Sequence, residues 1–202
     1  IQTIKQWVID EVLDYASEYG RVLIKNDVLK DLAAEQKKWA DWSIFKPFKI
    51  VVDPANAMGA LDISAMFDNS GCEIVKINFD LDGSFPAHQA DPLKEENLVQ
   101  IKKTVIANKA DLGIAIDGDG DRYFFIDDKG EVIRQEIIRG IMAQIALKES
   151  PGETVCYDIR PGRITKDMIE KAGGKAVVTR VGHSLIKETM LENNAVFGGE
   201  SS

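Results

Sequence analysis

The sequence predicts an α/β protein: two successive α/β domains with mixed, mainly parallel sheets flanked by helices, the second one truncated. Three observations lead there. From Phe48 onward, short β-branched runs alternate with stretches of helical period, the pattern of parallel βαβ units. The turn Asp128-Lys129-Gly130 interrupts that alternation and places a seam near residues 130–135. The chain begins at Ile1 without a methionine and closes on Gly198-Gly199-Glu200-Ser201-Ser202, with no final helix or strand, so a piece of a longer polypeptide is expected.

The elements follow in order. Residues 4–19 carry Ile4, Trp7, Val8, Val12, Tyr15 and Tyr19 on one helical stripe, with Gly20 as the stop. A second helix is expected over 27–42, capped by Asn26 or Asp27, with Val28, Leu32 and Trp39 on one face; Pro47 marks a break. Strands are expected at 49–52, 73–77, 111–116 and 123–127, with helices at 61–69 and 94–108 between them. After the seam come helix 136–149, strand 154–157, helix 163–172, strand 175–179, helix 184–193 and strand 195–197.

Composition narrows the function classes. The 202 residues hold 45% apolar and 29% charged side chains, the balance of a globular chain, which excludes disorder and collagen-like repetition. A net charge of −8 argues against nucleic acid or an anionic membrane as partner, because phosphate backbones require a basic footprint. Cys72 and Cys156 make neither a disulfide framework nor a metal knuckle, so a reducing cytoplasm is the default. Apolar runs such as Ile50-Val51-Val52 fall far short of the roughly 18 residues of a membrane helix.

One motif carries chemistry. Residues 112–122 read LGIAIDGDGDR, a buried-type strand running into Asp117, Asp119 and Asp121 with glycines between them. In an extended chain these positions share one face, about 6–7 Å apart. The glycines let the backbone curl so that the oxygens approach a common point. Two carboxylates about 5 Å apart repel by roughly 3 kcal/mol at an effective dielectric near 20, so three together need neutralising by a metal, by protons or by splaying into water. All-oxygen ligation with few protein ligands suits Mg²⁺ better than a Ca²⁺ cage. An EF-hand would need glycine and glutamate where Arg122 and Asp128 stand. A solvated acidic turn is the plain alternative, and Arg122 weighs against it, since a fork-shaped donor beside a metal loop suits phosphate binding.

The chain resembles the central part of an α-D-phosphohexomutase, the phosphomannomutase/phosphoglucomutase family. Besides the DGDxDR loop, VVDPANAMG (51–59) is similar to the family's DxxNGxG, DGSFPAHQADPLKEENL (82–98) to FPxHxPDPxxxENL, TRVGHSLIKETM (179–190) to KxGHxxIKxxM, and FGGESS (197–202) to the sugar-binding loop GGExSGH. The matches keep the family's order over 47–202, whereas 1–45 match weakly. The resemblance implies a helical lead-in at 1–45 left from domain 1 and its linker, domain 2 with the metal loop at 46–134, and an incomplete domain 3 at 135–202.

Family members arrange four domains around a cleft, and a phosphoserine in domain 1 exchanges a phosphoryl group with a hexose phosphate through a bisphosphate intermediate. The resemblance implies that Asp117, Asp119 and Asp121 ligate Mg²⁺, that Arg122 faces the phosphoryl group, and that His183 and Arg160 assist with proton movement or phosphate charge. It implies that Gly182, His183, Glu200 and Ser202 bind the sugar, here mannose or glucose 1- or 6-phosphate. His88 lies in HQADP, a departure from HxPDP, and receives no role. Trp7, Trp39 and Trp42 read as helix packing, and the pairs Lys37-Lys38 and Lys102-Lys103 as solvated faces.

The departures are specific. No TxSHNP-like serine loop occurs in these residues and the chain stops inside the sugar loop, so this polypeptide alone is expected to be inactive. A stand-alone metal- or phosphosugar-binding module remains the alternative. A DxDx(T/V) phosphatase fails, because Gly118, Gly120 and Arg122 do not supply the hydroxyl or small residue expected after the second aspartate. GGESS tilts toward a mannose or glucose substrate rather than glucosamine, whose mutases more often carry GGEQS.

Overall fold

The computed structural model describes residues 2–12, 17–39, 46–67, 70–160 and 162–200, the side chain of Trp39 excepted. Helix α1 (Gln2–Ile9) is shorter than expected. Glu11 takes a left-handed conformation (φ 51°) and the Val12 N–H donates to the Trp7 carbonyl at 3.0 Å, a closure that ends the helix well before Gly20. None of its side chains is buried, Trp7 is 52% exposed and Tyr19 wholly so, and Tyr15 lies outside the described residues. An apolar stripe that buries nothing among the described residues does not prolong a helix.

Helix α2 (Val28–Gln36) runs on as a 3-10 turn (Lys37–Trp39); the rest of the expected span to 42, with Trp42, lies outside the described residues. Asp27 occupies the N-cap position without a side-chain cap bond, and Ala33, not Val28 or Leu32, is the buried residue.

The first sheet comprises β1 (Lys49–Asp53), β2 (Glu73–Lys76), β3 (Leu112–Ile116) and β4 (Tyr123–Ile126) in the order β2-β1-β3-β4. Strand β1 pairs parallel with β2 and β3, whereas β4 returns antiparallel beside β3, because the short link 117–122 is too small for a parallel crossover. Helix α3 (Gly59–Met66) covers one face, its Ile63 in one core cluster with Ile50, Val52, Ile114 and Ile116 of the strands. A 3-10 turn (Glu95–Leu98) and α4 (Val99–Asn108) cover the other, with Ile101 and Val105 of α4 in one core cluster with Val51 and Phe124, so the helix expected at 94–108 is a 3-10 turn followed by an α-helix. Successive β1 residues feed opposite cores, the period-two geometry of a central strand.

The second sheet is all parallel, in the order β6-β5-β7: β5 (Thr154–Asp158), β6 (Lys175–Thr179) and β7 (Phe197–Gly199). Helices α5 (Gln135–Glu149), α6 (Ile164–Lys171) and α7 (His183–Asn193) accompany it, with Ala143, Leu147, Val155, Tyr157 and Ile169 at the core. The last strand begins two residues later than its alternation suggests and takes in both glycines. A Cβ on Gly198 would lie 2.3 Å from Met190 Sδ, and one on Gly199 2.3 Å from Arg139 Cδ, so only bare backbone fits beneath these side chains. Asp117, Asp158 and Glu200 all stand where parallel strands end, the side of an open α/β sheet where ligands bind. Among the described residues no helix is long and apolar enough to cross a membrane.

Candidate active site

Asp117 leaves β3 fully buried, at 0% exposure. Its N–H donates to the Arg122 carbonyl at 3.2 Å, and the chain folds back through a turn in which the Gly120 N–H donates to the Asp117 carbonyl at 3.3 Å. Gly120 has φ +79°, a conformation that glycine adopts without strain. The Asp117 Oδ1 accepts the N–H groups of Asp121 and Arg122, both at 3.1 Å, and Oδ2 accepts Arg122 Nε at 2.6 Å. The three carboxylates therefore converge through a turn, not along an extended strand. One oxygen from each of Asp117, Asp119 and Asp121 lies within 4.8 Å of the others.

The electrostatics divide the trio. Burial pushes the Asp117 carboxyl up, but the Arg122 backbone N–H and guanidinium together hold it below its ordinary value. Partial burial and then the charges of Asp117 and Asp119 push Asp121 up. Arg122 is the counter-charge within the loop, and Asp119 and Asp121 stay exposed and available to a cation. Three carboxylate oxygens make a hard donor set that fits a divalent ion of the Mg²⁺ kind.

The loop 84–91 walls one side, where Phe85, Ala90, Asp91, Asp117, Asp119 and Arg122 border a pocket of about 430 Å³. His88 anchors that wall: Nε2 lies 3.0 Å from Asp53 Oδ2, and Nδ1 2.9 Å from the Gln89 carbonyl. Asp53, 1% exposed at the end of β1, also accepts the Ala55 N–H at 2.9 Å and Asn78 Nδ2 at 3.0 Å. Sequence reasoning gave His88 no role, and nothing local signals one, since its partner is 35 residues away.

Tyr123 opens β4 and donates from its hydroxyl to Asp62 Oδ2 at 3.2 Å. Burial and then the Asp62 charge raise its pKa from 10.0 to about 12. A phenol pKa raised on folding contributes stability that is fully present below pH 10.0 and lost as pH rises through about 12. An ultraviolet difference titration against Tyr123→Phe is expected to place the ionisation near pH 12; a midpoint at the ordinary tyrosine value refutes the contact.

The second cluster lies at the ends of β5 and β7. Arg160 Nη2 donates to Asp158 Oδ2 at 2.8 Å and to Glu200 Oε1 at 3.3 Å. The same Glu200 oxygen accepts the Gly182 N–H at 3.0 Å. The φ of +126° at Gly182 turns the chain into α7, whose first residue, His183, is exposed. Arg160, Gly182 and Glu200 are thus brought together with His183 next in line, while Ser202 lies outside the described residues. Sequence reasoning missed Asp158 and Arg139, the buried pair beneath Arg160, since a charge within a helical or strand-like run does not by itself signal burial. A cleft of about 440 Å³ joins the clusters, with Asp121 and Arg122 at one border and Glu200 at another.

Models of the family described as phosphoglucomutase/phosphomannomutase match along the chain, α/β/α domain II over residues 26–130 and α/β/α domain III over 135–202. The chain belongs to the phosphoglucomutase/phosphomannomutase family. A phosphomannomutase of Methanocaldococcus jannaschii is 43% identical over 158 residues, 76% of this chain and 34% of the relative. A phosphomannomutase/phosphoglucomutase of Pseudomonas aeruginosa is 35% identical over 162 residues, 80% of this chain and 35% of the relative. The crystal structure of a phosphoglucomutase/phosphomannomutase family protein from Burkholderia thailandensis superposes with a TM-score of 0.87 at 29% identity, covering 99% of this chain and 43% of that one. The chain spans about a third of the length of the curated relatives it matches.

Proposed function

We propose that this chain supplies the metal loop and part of the sugar-binding loop of a phosphohexomutase, which moves a phosphoryl group between C6 and C1 of mannose or glucose phosphate through a phosphoserine and a bisphosphate intermediate. The phosphoserine is placed outside these 202 residues, and the chain alone is expected to be inactive. Residues 46–134 form the metal-loop domain and 135–202 the sugar-loop domain, joined to a lead-in at 1–45. Two free cysteines, Cys72 and Cys156, suit a cytoplasmic protein. The observation that carries the reading is the cleft bordered by Asp121 and Arg122 and by Glu200.

Asp117, Asp119 and Asp121 would hold Mg²⁺, which supplies charge stabilisation for the oxygens of the transferring phosphoryl group. Arg122, fixed by Asp117 at 2.6 Å, presents its remaining N–H groups toward the phosphoryl oxygens as a fork-shaped donor. Across the cleft, Glu200 accepts from sugar hydroxyls, and its carboxylate is oriented by Arg160 and the Gly182 N–H. His183, exposed at the start of α7, would exchange a proton with a sugar oxygen. Positioning and preorganised charge together lower the barrier.

The test of the metal reading is a Mg²⁺ titration followed by the backbone amide resonances of residues 117–122. Shifts confined to that loop and to loop 84–91 are expected, and resonances that do not move up to millimolar metal overturn the assignment. Mutase assays of the full-length gene product with mannose and glucose phosphates test the reaction.

A further inference from the structure

Beneath the sugar-loop cluster lies a charge that the proposed mechanism does not use. Arg139 projects from α5 and is 4% exposed. Its stem runs under β7, where Cδ and Cγ would stand 2.3 and 2.5 Å from a Cβ on Gly199, the residue just before Glu200. Its Nε donates to Thr165 Oγ1 at 3.4 Å, and Nη1 lies 3.6 Å from Asp158 Oδ2. Neither Nη1 nor Nη2 has a hydrogen-bond partner among the described residues. Burial lowers the pKa of this guanidinium, although Asp158 and Glu136 oppose the shift. An arginine held so far from water with unmet donors is costly for a fold that gains only stability from it.

Its place in the charge network supplies a reason. Asp158, at 0% exposure, faces Arg139 from inside and Arg160 from the cleft side. The Arg160 Nη2 divides between Asp158 at 2.8 Å and Glu200 at 3.3 Å. Arg139 meets part of the Asp158 charge and repels Arg160, and both effects free Arg160 to reach outward to Glu200. Without Arg139, the buried carboxylate draws Arg160 inward and, of its partners among the described residues, Glu200 keeps the Gly182 N–H.

We infer that Arg139 is a positioning residue: acting through Asp158, it sets how Arg160 is shared with Glu200 and so holds the carboxylate that orients the sugar phosphate. This rests on the mutase reading for its substrate, and on geometry alone for the coupling. The test uses the full-length gene product with Arg139→Met, which preserves the stem against Gly199 and removes the charge, and Arg139→Lys, which restores it. In Arg139→Met the KM for the hexose phosphate is expected to rise about tenfold with kcat changed less than about twofold, because a Glu200 carboxylate no longer held by Arg160 orients bound substrate less well. The Gly182 amide resonance, read with ¹⁵N-glycine labelling, is expected to move. Arg139→Lys is expected to recover most of both.

A wild-type KM and an unmoved Gly182 amide in Arg139→Met overturn the inference. So does an equal fall in kcat for the Met and Lys variants, which makes the residue a packing element. Should Arg139→Met not fold, Arg139→Gln repeats the comparison. A wild-type protein without mutase activity refutes the proposed function alone, since the Gly182 amide still reports the coupling.

Discussion

Asp119→Ala in the full-length gene product is expected to lower mutase turnover by about a thousandfold or more, the equivalent of about 4 kcal/mol of transition-state stabilisation removed with the metal's grip. Asp119 is the informative member of the trio. Asp117 also holds the loop together through the Asp121 and Arg122 N–H groups, so its loss confounds folding with chemistry. Asp119 is exposed, and its removal should leave the urea midpoint of the protein unchanged. Steady-state kinetics beside urea unfolding separate the two effects, and near-normal turnover with a normal midpoint refutes the metal role.

Asp158→Ala is expected to destabilise the protein by about 3–5 kcal/mol, because it strands a buried guanidinium without its carboxylate. Arg139 remains 4% exposed, and Arg160 loses its 2.8 Å partner. The reverse deletion is milder: Arg139→Met replaces an under-bonded cation by an apolar side chain and leaves Asp158 paired with Arg160. This asymmetry is readable in urea denaturation. A loss below about 1 kcal/mol for Asp158→Ala rules out a network balanced across the buried carboxylate.

The acidic loop was legible because it is local. Asp117, Asp119, Asp121 and Arg122 fall within one turn, and their spacing carries both the charge crowding and the glycines that relieve it. The strands were legible for the same reason, since β-branched runs bounded by turns express a period that each segment holds by itself. The N-terminal helix shows the limit. Its stripe from Ile4 to Tyr19 has helical period, yet α1 stops at Ile9, since periodicity states what a face could bury and not whether a partner is there.

The anchors of the site were not legible, because their contacts join residues distant in the chain. His88 meets Asp53 across 35 positions, and Arg160 meets Glu200 across 40. Motif order implied that Arg160, Gly182 and Glu200 share a cleft, but not that a single Glu200 oxygen serves both others. Arg139 stands in a run that reads as an ordinary amphipathic helix, IIRGIM, and nothing in that run tells a buried guanidinium from a solvated one.

The amino-acid order alone specified the alternating α/β architecture and the crowding of three carboxylates between spacer glycines, each a consequence of interactions among neighbours in the chain, whereas the closed turn that gathers them was seen only in the fold. Chain folding had to bring β5, β7 and α5 together before Asp158, Arg139, Arg160 and Glu200 could form one network. Coulomb energy and desolvation depend on distance through space and on the exclusion of water, and neither quantity exists until the strands are paired and the helices packed over them.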